Sequence, residues 1–188
     1  TCRPVMWDRL RQFIGVCSPD CTPRLQTEWW TRVELKEEAS HLQKMLQNNP
    51  SPIVFCHNDA LFGNIVLQPN SVAFIDLEYG APNYAAFDIA NHFCEFVGGT
   101  HDYEHWMPAK DYQLSWIKEY VGERKGAEAS ESEVESIYNS VTQFILCAHL
   151  QWSIWSVIQA ENSTLDFDFV DHAIQRKQEY ERWKKIVN

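Results

Sequence analysis

The sequence predicts an α+β fold that is mostly helical, with a small β-sheet carrying an irregular loop. Apolar residues recur at helical spacing over most of the chain, and only three short runs between residues 53 and 76 have the character of strands. The 188 residues are 45% hydrophobic and 13% aromatic, with few glycines and prolines, so the chain can bury a sizeable core.

The predicted elements are, in order, a helix over 28–48, strands over 53–56, 64–68 and 72–76, and helices from Asn83, over 112–121, from Ser130 to about Ala160 and from Ser163 onward. Pro50 stops the first helix, and Gly98-Gly99 closes the helix that begins at Asn83. The patterns Ser130-x-x-Glu133 and Ser163-x-x-Asp166 predict the starts of the last two helices. Small and acidic residues over 122–135 predict an exposed loop between helices.

Charge and cysteine usage narrow the class of protein. The formal net charge is −10 and the sequence pI is about 5.1, which argues against nucleic acid or an anionic membrane surface as the main partner. Unbroken apolar runs reach only about five residues, against roughly 18 for a bilayer span, so no transmembrane segment is expected. The six cysteines include no CxxC pair and predict reduced thiols in a cytoplasmic protein.

The loop between the first two predicted strands contains the residues that indicate chemistry. It begins with His57-Asn58-Asp59 and ends at Asn64, and Asp76 follows at the end of a strand. Phosphoryl transfer from ATP uses one carboxylate to accept the proton of the acceptor hydroxyl, while an amide oxygen and a second carboxylate hold magnesium. The pattern predicts Asp59 as the catalytic base and Asn64 and Asp76 as metal ligands. Taken singly, Asp59 and Asp76 equally fit a turn cap and a strand end, so the prediction depends on their combination.

These motifs resemble the choline/ethanolamine kinase family. The resemblance is carried by residues 57–64, 74–79 and 83–96, and it continues through 152–159 and 163–169. It implies a protein-kinase-like fold related to the aminoglycoside phosphotransferases, with ATP as co-substrate and Mg²⁺ as cofactor. It further implies that His57 packs beneath the catalytic loop and that Asp88 accepts hydrogen bonds from the loop backbone.

The resemblance also implies an amino-alcohol site formed by Glu95, Tyr79, Trp152 and Trp155. The two tryptophans are three residues apart and share a helix face, where an ammonium over an indole gains roughly 0.5–2 kcal/mol. Core packing is the other interpretation of this pair.

Details favour ethanolamine over choline as the acceptor. The runs 95–98 and 163–169 resemble ethanolamine kinases, whereas Cys94 is typical of choline kinases. Family members have tyrosines where this chain has Thr100 and His172, which fits a primary ammonium held by hydrogen bonds to Glu95.

The resemblance implies that residues 1–188 are the carboxy-terminal lobe of a longer kinase. The chain contains no GxGxxG pattern and no candidate strand lysine before Asp59, and residues 5–13 resemble the helix that follows the hinge. The implied activity is ATP-dependent phosphorylation of ethanolamine to phosphoethanolamine, the first step of the CDP-ethanolamine route to phosphatidylethanolamine, and the isolated lobe is expected to be inactive. Choline kinase or dual activity, a truncated non-catalytic binding module and a homodimer all stay open.

Overall fold

A computed structural model describes residues 3–187 and divides the chain into two compact units. The central unit is Pro50–Ile145, and the terminal unit is Pro4–Asn49 with residues 146–187. The elements are α1 Met6–Val16, α2 Pro23–Glu28, α3 Arg32–Met45, β1 Ile53–Cys56, β2 Ile65–Gln68, β3 Ser71–Phe74, β4 Ala81–Tyr84, α4 Ala85–Glu95, α5 Tyr103–Trp106, α6 Lys110–Lys125, α7 Glu131–Asn162 and α8 Phe169–Val187. The predicted fold class, mostly helical with little sheet, is confirmed over these residues.

The central unit contains two antiparallel ladders that enclose the predicted loop. β1 pairs with β4, from Ile53 opposite Tyr84 to Cys56 opposite Ala81. β2 and β3 form a hairpin across a turn at Pro69-Asn70. Residues 57–80 therefore form a loop whose two ends are joined by the pairing of β1 with β4.

The strand β4 and the start of α4 differ from the prediction. The expected helix from Asn83 begins instead at Ala85, because residues 81–84 are extended against β1. This stretch is short and contains Pro82 and Asn83, residue types that are depleted in strands, so its strand conformation comes from pairing and not from local preference. The helix α6 also runs to Lys125, four residues into the expected loop, and ends at Gly126 with a φ of +64°.

Two more of the predicted helices start at other residues than expected. The single helix expected over 28–48 is interrupted before Arg32, because Thr31 and Glu34 form a capping box that starts α3. The last helix starts at Phe169 and not near Ser163, since the carboxylate of Asp168 accepts the backbone N–H of Asp171. The predicted box at Ser130 is confirmed by hydrogen bonds in both directions between Ser130 and Glu133.

The helix α7 is the longest element and is largely buried. Its length and composition would allow it to cross a bilayer, but 78% of its most apolar stretch is buried in the protein. Core helices of soluble proteins have this same character. The fully buried side chains on α7 include Phe144, Ile145, Leu150, Ile154 and Val157.

Candidate active site

The loop after β1 is anchored by a single carboxylate on α4. Asp88 accepts the backbone N–H of His57 at 2.8 Å with one oxygen and that of Asn58 at 2.7 Å with the other. Burial raises the pKa of Asp88 although both hydrogen bonds oppose the rise. On the other side of the loop, Nε2 of His57 donates to the carbonyl of Ile75 at 2.9 Å. Asp88 is thus bonded to the start of the loop, and His57 links that start to the end of the loop near Ile75.

Asn58 holds the loop in an unusual backbone conformation. Its φ is +65°, in the left-handed region that asparagine tolerates better than most residues. Its buried amide donates to the carbonyls of Tyr79 and Ala81 at 2.9 and 3.3 Å, and Asn83 donates to its amide oxygen at 2.7 Å. These bonds tie the loop to β4, and they offset the backbone strain directly before Asp59.

Asp59 and Asn64 are held together within the loop. The amide of Asn64 donates to the main-chain carbonyl of Asp59 at 2.9 Å and to its carboxylate at 3.2 Å. Burial, and after it the negative charges of Glu95 and Asp76, raise the pKa of Asp59 to about 7, against the lowering effect of the hydrogen bond from Asn64. Glu95 and Asp76 are thus both within electrostatic range of Asp59.

The oxygens of Asn64 and Asp76 suit a hard cation. Asn64 uses its amide N–H groups on Asp59, and no described residue donates to its amide oxygen or to the carboxylate of Asp76. Asp76 follows β3 with a φ of +58° and is exposed. Across residues 3–187 no three His, Cys, Asp or Glu side chains form a metal cluster. Magnesium in kinases needs fewer protein ligands, because phosphates and waters complete its coordination, so these residues fit it.

Two residues predicted to contact the acceptor lie in the central unit. Glu95 is half-buried at the end of α4, and after burial its charge has the largest raising effect on the pKa of Asp59. Tyr79 is half-buried in the short 3₁₀ turn after Asp76, and its carbonyl accepts the amide of Asn58. Thr100, also in this unit, donates its hydroxyl to the carbonyl of Val97 at 2.8 Å.

The two tryptophans lie on α7 in the terminal unit. The rings of Trp152 and Trp155 are edge to face with their centroids 5.5 Å apart. Trp155 contacts Phe169 in the same manner at 5.8 Å. His172 on α8 shares a hydrogen bond of 2.7 Å with the hydroxyl of Ser156, and its ring contacts Phe167. The pair therefore belongs to a wider aromatic cluster within this unit.

The sequence reasoning missed three residues that shape the loop. Asn58 and Asn83 form the buried amide pair described above, and His92 donates from Nδ1 to the carbonyl of Ala60 at 2.8 Å. The only local signal was asparagine itself, which is enriched where φ is positive. The contacts of Asn58 with Ala81 and Asn83 depend on β4, which was not predicted.

Comparison with known proteins identifies the family to which this chain belongs. The profile described as choline/ethanolamine kinase matches residues 3–181. Mouse "Ethanolamine kinase 2" is 37% identical over 99% of this chain and 49% of its own length, and human "Choline/ethanolamine kinase" is 39% identical over 78% of this chain and 42% of its own. The chain spans about half the length of the curated relatives it matches.

Solved structures agree with this assignment. An ethanolamine kinase from Plasmodium vivax matches with a TM-score of 0.82 and 28% identity, over 95% of this chain and 49% of that one. A choline kinase from Cryptosporidium parvum matches with a TM-score of 0.78 at 22% identity, over 98% of this chain and 57% of that one, and supports the same fold.

Proposed function

Because the chain belongs to the choline/ethanolamine kinase family, we propose that it is the carboxy-terminal lobe of an ATP-dependent ethanolamine kinase. The observation that supports this most is the pairing of Asp59 with Asn64 in a loop anchored by Asp88, with Asp76 within electrostatic range. The parent protein would convert ethanolamine to phosphoethanolamine, the first step of the CDP-ethanolamine route to phosphatidylethanolamine. Its proposed location is the cytoplasm.

Asp59 is the proposed catalytic base. It accepts the hydroxyl proton of ethanolamine as the hydroxyl oxygen bonds to the γ-phosphorus of ATP, and the bond to the bridging oxygen breaks to release ADP. Asn64 keeps the carboxylate oriented through its amide N–H, which leaves the Asn64 amide oxygen and Asp76 as the magnesium ligands. Bound Mg²⁺ would neutralise charge on the phosphates.

The acceptor cation is assigned to Glu95, Trp152 and Trp155, with Tyr79 as a further contact. The carboxylate of Glu95 supplies a charge opposite to the ammonium, and its effect on the pKa of Asp59 supports its assignment to the acceptor. The edge-to-face tryptophans offer aromatic surface to a cation.

The nucleotide lobe is proposed to lie in the remaining half of the parent protein. Exposed apolar side chains support this proposal; they form a hairpin patch made of Phe55, Phe62, Leu67, Val72, Phe74 and Leu77, each more than half exposed. A groove of about 570 Å³ continues from this patch beneath the hairpin. Patches of this kind mark surfaces that another domain or ligand covers. Without that lobe the 188-residue chain is expected to be inactive.

The test is a side-by-side assay of the parent protein and the 188-residue chain with ATP, magnesium and either ethanolamine or choline. The parent is expected to prefer ethanolamine and the isolated chain to be silent. In the parent, Asp59→Ala should lower kcat by about 10²–10⁴-fold with the fold intact, whereas Glu95→Gln should mainly raise the KM for ethanolamine. Asp111→Ala, an exposed carboxylate on α6, is the matched control.

The outcomes separate the open alternatives. Near-wild-type turnover by Asp59→Ala would refute its role as base. A parent that prefers choline would favour the alternative supported by the relative named "Choline/ethanolamine kinase". A parent inactive on both acceptors would favour a non-catalytic module.

A further inference from the structure

The helix α4 holds the catalytic loop at two points, one on each side of Asp59. Before Asp59, the carboxylate of Asp88 accepts two backbone N–H groups. After Asp59, Nδ1 of His92 lies 2.8 Å from the carbonyl oxygen of Ala60. A carbonyl only accepts hydrogen bonds, so this contact requires the proton on Nδ1 and makes His92 the donor. The loop therefore runs along α4 from Asp88 to His92, with Asp59 between the two attachments.

Glu95 lies on the same face of α4, further along the helix. Asp88, His92 and Glu95 are spaced i, i+4 and i+7, so they follow one another along one stripe. The opposite face is packed into the core of the central unit, where Ala90 and Phe93 are completely buried. The helix itself therefore fixes the distance between the attachment of the loop at His92 and the position of Glu95.

Aromatic rings of the same unit hold the imidazole of His92 in its orientation. The ring of Phe96 meets it edge to face with the centroids 5.2 Å apart, and the ring of Trp116 lies tilted against it at 5.6 Å. Side chains whose rotamers are locked by packing hold a site more precisely than side chains that are free to move. The donor to Ala60 is therefore set in place before any substrate binds.

We infer that His92 is a positioning residue that fixes the separation between Asp59 and Glu95 and so sets the length of the amino alcohol accepted, an inference that rests on the proposed function. In that function Asp59 takes the proton at the hydroxyl end of the acceptor, and Glu95 binds the ammonium end. The two carboxylates are within electrostatic range of each other. A displacement of about 1 Å can cost about 100-fold in rate, so an acceptor must match their separation closely.

The experiment measures kcat/KM of the full-length parent with ATP, magnesium and either ethanolamine or propanolamine, the homologue with one more methylene between hydroxyl and amine. The wild type should prefer ethanolamine. His92→Leu removes the donor, and it should lower kcat/KM for ethanolamine about 10- to 100-fold and that for propanolamine less than about threefold. His92→Asn places an amide N–H on Cγ, where the imidazole has Nδ1, and should restore the ratio to within about threefold of the wild type. His105→Leu, at an exposed histidine on α5, is the control and should leave the ratio unchanged.

The ratio of the two acceptors separates positioning from stability. A variant that only lost folded protein would lower both kcat/KM values by the same factor and would leave the ratio as it is in the wild type. Urea denaturation followed by tryptophan fluorescence gives the folded fraction of each variant and corrects the individual values.

An unchanged ratio in His92→Leu, or a lowered ratio that His92→Asn fails to restore, would overturn the positioning role of His92 and leave the proposed function standing. A wild type that phosphorylates both acceptors equally well would do the same. A parent that phosphorylates neither would refute the proposed function and this inference with it.

Discussion

Asp88→Asn tests whether one carboxylate anchors the catalytic loop. In the wild type the two oxygens of Asp88 accept the backbone N–H groups of His57 and Asn58, which are both buried residues. The variant keeps one acceptor oxygen but turns an NH₂ group toward the other backbone N–H. One charge-assisted hydrogen bond is lost and the other becomes neutral, a gross cost of about 2.5–4 kcal/mol. Burial raises the pKa of Asp88, so removing the charge recovers part of that cost as relieved desolvation.

The net expectation is a loss of about 2 kcal/mol in the free energy of unfolding, roughly a 30-fold change in the folded-to-unfolded ratio. Urea denaturation followed by tryptophan fluorescence measures it. The matched control is Asp102→Asn, because Asp102 caps α5 from an exposed position through the N–H of His105, and asparagine caps equally well. A loss below about 0.5 kcal/mol, equal to that of the control, would refute the anchoring role of Asp88.

Two further predictions concern stability away from the loop. Lys125 and the backbone and hydroxyl of Ser130 lower the pKa of Glu133 to about 2. The contribution of the ionised Glu133 carboxylate to the free energy of unfolding is therefore complete above about pH 4.5 and is lost as the pH falls toward 2. The difference in urea midpoint between the wild type and Glu133→Gln should shrink over that range. The buried hydroxyl of Tyr180 donates to Glu38 at 2.6 Å, and Tyr180→Phe should lower the free energy of unfolding by about 1.5 kcal/mol in the same assay.

Matched controls exist for both variants. Glu131→Gln changes a charge in the same turn of α7, and Tyr112→Phe removes an exposed hydroxyl. A midpoint difference for Glu133→Gln that does not vary with pH would contradict its assigned role. Equal unfolding free energies for Tyr180→Phe and Tyr112→Phe would contradict the contribution of the Glu38 contact.

Local signals in the sequence predicted part of the fold and missed the elements that depend on distant partners. The strand over 53–56 and the capping box at Ser130 follow from patterns within a few residues, and both match the structure. The box at Thr31 was equally readable but was overlooked inside a longer helical pattern. In contrast, β4 contains a proline and an asparagine and becomes a strand only by pairing with β1, about 28 residues earlier in the chain.

The candidate site shows the same contrast between residues that local spacing identifies and contacts that depend on distant parts of the chain. The spacing of Asp59, Asn64 and Asp76 identified one loop and one strand end, and the resemblance identified the helix that carries Asp88. The contacts that position these groups are non-local: the amide of Asn58 reaches Tyr79 and Ala81, and burial sets the pKa of Asp59. Neither burial nor a partner 20 residues away can be read from spacing, so the roles of the site residues remain predictions.

The ladder between β1 and β4 also has a kinetic consequence for the loop it closes. Cys56 and Ala81 pair at the base of a loop that contains Asp59, Asn64 and Asp76. Closing such a loop costs chain entropy before any contact within it contributes, so its residues order only after the two strands have met. Amide hydrogens at 57–64 should therefore exchange with solvent no more slowly than those of the ladder. The free energy of opening the ladder then determines the fraction of molecules in which the catalytic loop is disordered.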